Sequence, residues 1–336
     1  AQRDKPGRYK KGIGLASSIH NAGGAKIHKS DGIGTILKVD DYARVTVITG
    51  ATEIGQGIDA VITLIVAEEL GVPLEHVNVV NNDTDIAPWD VGSHASRTTF
   101  IAGNGTRRAA RKARERILGF AARALDEPIE GLDLRDGAVV RNRDGSALIK
   151  LERLMRQMHF QPEPELVMVT DYYEPNSEPE GAQYKSNSSS AYAHAVHIAE
   201  ITVDTLTGEI KVDKVTVVQD VGRVINRMGL EAQVEGGIAI GLGYALSEDM
   251  RIEKGMLRNA CFRDYKLITA PEMPPLEMHF IESNCAEGPY GAKGISELPT
   301  IVIAPAIANA LYNATGVRIF QPPMSPEKVA RAIHEK

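Results

Sequence analysis

The sequence predicts an α+β fold built from two related α+β subdomains. Three observations lead there. The chain has 336 residues, 43% of them apolar, enough for about two cores at roughly 150 residues per domain. Each half runs in the same order: branched strands, a glycine-rich turn with a nearby glutamine, then an apolar helix. Between the halves, residues 161–190 are rich in Pro, Glu, Asn and Ser and show no periodicity. The expected division is therefore a first subdomain over 1–160, a connecting segment over 161–190 and a second subdomain over 191–336 that carries the Glu297 loop.

The elements follow in order. Residues 32–49 read as a hairpin, with "GIGTILKV" turning at Asp40-Asp41 into "ARVTVIT". After "GATEIGQG", the run "IDAVITLIVAEELG" is apolar almost all round, which predicts a buried helix ending at Gly71. "HVNVVN" reads as a strand. From Gly105 a helix is expected, with Ala110, Ala113, Ile117, Ala121 and Ala124 on one stripe and arginines mostly opposite. That basic side reads either as a solvated face with i,i+4 pairing or as a phosphate or RNA surface. "LRDGAVVRNRDGSAL" predicts a hairpin turning at Asn142–Gly145, and "KLERLMRQM" a short helix. In the second half, "AYAHAVHIAEITVD" and "EIKVDKVTVVQDVG" form a hairpin around "TLTG", followed by a buried helix in "QVEGGIAIGLGYALSE". Pro305 is expected to start the helix "PAIANALYNAT", Gly316 to stop it, and Ser325-Pro326 to cap the last one.

Charge and composition narrow the function. A net charge of −6 and a pI near 5.9 give no electrostatic reason to expect nucleic acid or a membrane as partner. No apolar run approaches the ~18 residues of a spanning helix, and "AQRDKPGRYKKG" has no apolar signal core, so a cytoplasmic protein is expected. Cys261 and Cys285 are the only cysteines and form no C-x-x-C pair, which leaves no framework for an iron–sulfur cluster or structural zinc.

Several motifs remain. Gly55 and Gly57 in "ATEIGQG" free the backbone to approach a ligand, and Gln56 offers a donor and an acceptor at a helix start; an ordinary strand–helix turn would look the same. Ser93, His94, Ser96, Arg97, Thr98 and Thr99 crowd polar groups ahead of a glycine-rich helix entry, suited to cradling phosphate or a fused ring, or simply to capping. His194 and His197, three apart on a strand, point to opposite faces and make a poor metal pair. "GIAIGLG" has the wrong glycine spacing for a dinucleotide loop, and "GPYGAKGIS" lacks the Ser or Thr that a P-loop needs after its lysine. Glu297 stands among Ile295, Leu298 and Pro299, where partial desolvation would suit a general base; a solvent-facing loop carboxylate is the alternative.

In series, "GATEIGQG", "SHASRTTFIAGN", "AEITVDTLTGEIKVDKVTVVQDVGRVIN", "AQVEGG" and "GAKGISELPTIVIAPAIANAL" give the chain a family resemblance. From about Gly12 to its end it resembles the C-terminal, cofactor-binding portion of the molybdopterin subunit of the xanthine dehydrogenase/aldehyde oxidase family. The resemblance implies a molybdenum–molybdopterin cofactor, in its cytosine dinucleotide form, whose pterin dithiolene rather than protein ligands holds the metal. It implies that Glu297 is the base toward a hydroxide on that metal. It places Gln56 between Gly55 and Gly57, Ala95, Ser96, Arg97, Thr98 and Thr99, Gln233, Lys293 and Ser296 around the pterin. Ser296 and Leu298 depart from the Gly and Pro that usually flank this Glu, so no substrate carries over from one member.

The upstream G-G-G-F-G segment of full-length subunits does not occur in these residues. The resemblance then implies a partner chain carrying the N-terminal half of the subunit, as in nicotinate dehydrogenase-like enzymes, or a longer parent chain. An iron–sulfur subunit with [2Fe-2S] and a flavin subunit with FAD are the further expected partners. The implied activity is hydroxylation of an N-heterocycle or aldehyde with oxygen from water. Reductive dehydroxylation of an aryl-CoA thioester, as in 4-hydroxybenzoyl-CoA reductase-like enzymes, and a non-catalytic scaffold are the alternatives.

Overall fold

The computed structural model describes residues 7–26, 29–179, 181 and 186–335. Strands β1 (Tyr9–Asn21), β2 (Ile33–Val39) and β3 (Val45–Thr49) lead into helix α1 (Ile58–Leu70) and strand β4 (Val77–Val80). Helix α2 (Thr98–Leu125) follows, then β5 (Leu132–Arg135), β6 (Ala138–Arg141), β7 (Ala147–Lys150), α3 (Leu151–Phe160) and β8 (Val167–Tyr173). The second half holds β9 (Tyr192–Asp204), β10 (Ile210–Asp220), α4 (Arg227–Leu246), the short β11 (Ile252–Glu253) and β12 (Met256–Leu257), and β13 (Leu276–Ile281). Helices α5 (Leu298–Thr315) and α6 (Pro326–His334) close the chain. No helix among the described residues is long and apolar enough to cross a membrane.

Two four-stranded sheets repeat one plan. The first has the order β4-β3-β2-β8 and the second β13-β10-β9-β1. In each, an antiparallel hairpin (β2/β3, β9/β10) runs through a helix (α1, α4) into a strand parallel to the hairpin's second arm. A further helix then follows (α2, α5), and an antiparallel strand flanks the first arm (β8, β1). The relatedness expected from sequence is thus present as topology. The flanking strands cross over, however: β1, from the start of the chain, lies in the second half's sheet. Gly12 and Gly14 make that possible, because α5 presses so closely on β1 that a Cβ on Gly14 would stand 2.1 Å from Ala306 O.

Four expectations need correction. The 161–190 stretch carries an edge strand, β8, with Val167 and Val169 buried against the core. Its pattern is broken by Asp171, which is buried because Arg108 Nε (2.7 Å) and Lys112 Nζ (2.5 Å) of α2 pair with it. Residues 180 and 182–185 of that stretch lie outside the described residues. Helix α2 begins at Thr98 rather than Gly105, and Gly103 and Gly105 are helix positions where Pro289 and Ile33 pack against the backbone. Its basic side is neither free nor merely solvated. Arg107 and Arg111 pair with Glu69 of α1, Arg114 with Asp133, and Arg123 with Glu165, while Ala124 is exposed. Helix α5 begins at Leu298, so Pro299 marks its first turn and Pro305 lies inside it. Gly316 ends that helix in the left-handed conformation, and Ser325 caps α6 by accepting from Lys328 N.

Candidate functional site

Every strand-to-helix loop on one side of the two sheets opens into the same cleft. The β3–α1 loop brings Gln56 and Gly57, the residues before α2 bring Ser96, Thr98 and Thr99, and α4 brings Gln233. The loop before α5 brings Lys293, Gly294 and Ser296. The cleft encloses about 690 Å³, part of it open to solvent. A second opening beside it is lined by Gln233, Ser296 and Glu297 together with His20, Ile240 and Ile301. Of the residues that the family resemblance sets around the pterin, Gly55, Ala95 and Arg97 do not line either opening, and neither do Ser93 and His94.

Arg97 is scaffold. Its side chain is 2% exposed and pairs with Asp31 (2.8 Å) and Asp90 (2.7 Å), while Nη2 donates to Asp31 O at 2.8 Å. Burial pushes the Asp31 carboxyl up to about 6 against the pull of Arg97. The clamp fixes the turn at Ala95 and Ser96, both held at positive φ (45° and 52°), a costly conformation for residues with a Cβ.

That turn delivers Ser96 to Glu297. Ser96 Oγ donates to Glu297 Oε2 in a short hydrogen bond, and Glu297 N donates to Ser96 Oγ at 3.3 Å. Gly294 makes the approach possible, since its amide donates to Ala22 O at 2.7 Å and a Cβ there would stand 1.5 Å from Ser96 O. His20 Nδ1 lies 3.6 Å from Glu297 Oε2. No hydrogen bond engages Oε1 among the described residues. The Glu297 side chain is 42% exposed, so within this chain alone its desolvation is only partial.

The other polar groups divide by what already holds them. Gln56 is spent within its own loop, with Nε2 donating to Thr52 O (2.9 Å) and Oε1 accepting from Ile54 N (2.7 Å). Glu53, not singled out from sequence, accepts from Gly55, Gly57 and Asp59 amides and so occupies the α1 N-terminus. Lys293 Nζ donates to Asp220 Oδ2 at 2.6 Å. Burial works to raise the Asp220 carboxyl, but Lys293, Ser283 and the Gly222 amide outweigh it and hold it below its usual range. Asn226 caps α4 through Gly229 N.

Helix α2, by contrast, has no side-chain cap at its N-terminus. Its first amides are left without a side-chain acceptor, and Thr98 and Thr99 line the cleft, with Thr98 Oγ1 donating to Ser93 Oγ at 3.2 Å. Arg223 lines the same cleft, exposed and with no ion pair among the described residues. Sequence reasoning missed Arg223, although it lies inside the quoted "QDVGRVIN", because nothing local shows that the turn at Gly222 (φ 69°) folds toward Lys293. The Gln233 side chain makes no hydrogen bond among the described residues, and the residue lines both openings. The donor set fits a ligand with a polar heterocycle and anionic groups: amides, hydroxyls, an amide side chain and a guanidinium around an apolar floor of Ile58, Val61 and Leu230. His194 is exposed and His197 buried, on opposite faces of β9, and no His/Cys/Asp/Glu cluster among the described residues could hold a metal ion.

Comparisons with known proteins agree on one family. The family described as a molybdopterin cofactor-binding domain matches residues 1–274. The xanthine dehydrogenase molybdenum-binding subunit of Escherichia coli O157:H7 is 32% identical over 345 residues, covering 99% of this chain and 43% of its own length. The 6-hydroxypseudooxynicotine dehydrogenase complex subunit gamma of Paenarthrobacter nicotinovorans is 31% identical over 330 residues, covering 95% and 39%. The crystal structure of quinoline 2-oxidoreductase from Pseudomonas putida 86 superposes with a TM-score of 0.87 at 25% identity, covering 98% and 42%. The chain thus spans less than half the length of the relatives it matches.

Proposed function

The chain belongs to the molybdopterin cofactor-binding family, and from that premise we propose that it supplies the cofactor cradle and the proton acceptor of a molybdenum hydroxylase. The observation that carries the reading is the meeting of Glu297, Ser96 and Gln233 at one cleft, although Ser96 and Glu297 are 201 residues apart. When bound, a molybdenum–molybdopterin supplies a Lewis-acidic, redox-active centre that activates water and takes up two electrons. Thr98, Thr99, the open end of α2 and Arg223 would hold its anionic groups, the diphosphate of the cytosine dinucleotide form. Gln233 and the Ser96 turn would hold its ring system. Lys293 acts through Asp220, shaping the loop rather than reaching freely into the cleft.

Glu297 does the proton chemistry. Ser96 fixes Oε2, so Oε1 is the atom that takes the proton of the activated water and later returns it to solvent. In the net reaction a C–H bond at an electron-poor carbon of an N-heterocycle or aldehyde would be replaced by a bond to oxygen from that water, with two electrons going to the bound cofactor and two protons to solvent. Scaffolding alone gives no reason for a serine, itself held by the Glu297 amide, to orient the Glu297 carboxylate at the cleft. With two cysteines in the chain, onward electron transfer would fall to partner subunits carrying [2Fe-2S] and FAD. Glu297→Gln in the assembled enzyme tests the reading: turnover should fall roughly 10² to 10⁴-fold while molybdenum content stays unchanged. Near-normal turnover with full metal would return Glu297 to an ordinary loop carboxylate.

A further inference from the structure

Two polar side chains on the buried face of the second sheet take no part in the reading above. His197 of β9 and Gln219 of β10 are both 0% exposed. In the antiparallel pairing His197 lies opposite Val217 and Gln219 opposite Ala195, which makes the two side chains diagonal neighbours on one face. Gln219 Nε2 donates to Ile295 O at 3.1 Å, two residues before Glu297. Gln219 Oε1 and both ring nitrogens of His197 have no hydrogen-bond partner among the described residues. The cross-strand neighbours of His197, Val217 and Ala16, have no side-chain polar group to offer. Burial pushes the His197 imidazole down to about 4, so at neutral pH the ring carries one donor and one acceptor.

The bond to Ile295 O sets the orientation of the amide but leaves its oxygen buried without a donor. Flipped, Gln219 would set its oxygen against the Ile295 carbonyl, acceptor against acceptor. Something must donate to Oε1 if the grip on Ile295 is to persist, and buried polar groups of this kind are regularly joined by ordered water. We propose that His197 and Gln219 are positioning residues for Glu297, joined by an internal water that His197 binds and that donates to Gln219 Oε1. The water satisfies the buried amide oxygen and so strengthens the grip of the amide on Ile295, and Ile295 fixes the start of the turn that carries Glu297. The proposal rests on Glu297 being the proton acceptor.

A crystal structure of the assembled, cofactor-loaded enzyme should show one water within hydrogen-bond distance of a His197 ring nitrogen and of Gln219 Oε1. Gln219→Met, similar in volume, should lower kcat roughly tenfold to a hundredfold, the scale of a small misplacement of a catalytic group, with KM and molybdenum content little changed. His197→Leu should act in the same way, His197→Gln should recover most of the rate, and the double variant Gln219→Met/His197→Leu should be no worse than either single one. A dry contact between the two side chains, or losses that multiply in the double variant, would overturn the proposal. The wild-type structure decides the matter even where a variant fails to fold. Glu297→Gln with normal turnover would instead overturn the base assignment and leave the water and the amide orientation in place, so the two failures are distinct.

Discussion

A Cβ on Gly294 would stand 1.5 Å from the Ser96 carbonyl oxygen, so alanine there must push two backbones apart at the point where Ser96 meets Glu297. Gly294→Ala should therefore cost about 1–3 kcal/mol, read as a lower Tm, and should also reduce turnover because the serine no longer reaches the carboxylate. Asp220 offers a test by pH. Its folded-state carboxyl titrates below the ordinary value of 3.8, so its contribution to stability is complete above that value and is lost as pH falls below it. Asp220→Asn should remove this part of the acid dependence, and by leaving Lys293 buried without its partner should destabilise by about 3 kcal/mol, measured by denaturant titration at neutral pH. The position of Glu297 at the cleft was legible in the sequence because a carboxylate between a glycine-rich loop and an apolar helix is conspicuous. Arg97 was not, because polar runs look alike whether they reach a ligand or, as here, a buried pair of aspartates. Lys293 and Gln56 were legible as positions, but their side-chain partners, Asp220 and the β3–α1 loop, depend on tertiary placement.

At the level of elements, period and punctuation placed most helices and strands, and the errors have a common cause. Glycine was read as a helix boundary at Gly105, where it instead admits Ile33, and proline as a helix start at Pro305, where Pro299 holds that position. Strand β8 was missed because its buried Asp171 mimics a surface residue, being neutralised by Arg108 and Lys112, which lie 63 and 59 residues away in the sequence. The functional weight falls on α2. Its N-terminus at the cleft has no side-chain cap, whereas α1 is held by Glu53 and α4 by Asn226. With Arg223 opposite, this end should hold the anionic part of the cofactor. Arg223→Ala should lower cofactor retention about tenfold on dialysis, with the thermal stability of the cofactor-free protein unchanged, because Arg223 makes no ion pair among the described residues. Equal retention by both proteins would remove Arg223 from the cradle.

Across the whole molecule, the repeated hairpin–helix–strand–helix plan turns the same four loops toward one cleft, which explains how residues from distant parts of the chain meet there. The plan was legible from the echo between the halves; the exchange of β1 into the second sheet was not, since pairing across nearly two hundred residues leaves no local trace. The arrangement also leaves the cleft open. Glu297 is 42% exposed, and Ile240 and Ile301 beside it are 61% and 43% exposed, a poor setting for chemistry that depends on excluding water. Matching only 39–43% of its relatives' lengths, the chain leaves room for further polypeptide over that opening. The expectation is that this chain expressed alone folds yet retains little molybdenum, and that both cofactor retention and turnover appear together when it is co-expressed with the remaining part of the molybdenum subunit and an iron–sulfur partner. Burial of Ile240, Ile301 and Glu297 by the added chain should show as slower hydrogen exchange in 236–240 and 296–301 on assembly. An active, molybdenum-loaded enzyme purified from this polypeptide alone would mean that the open cleft is the finished site, and that water exclusion is achieved by the cofactor and substrate themselves.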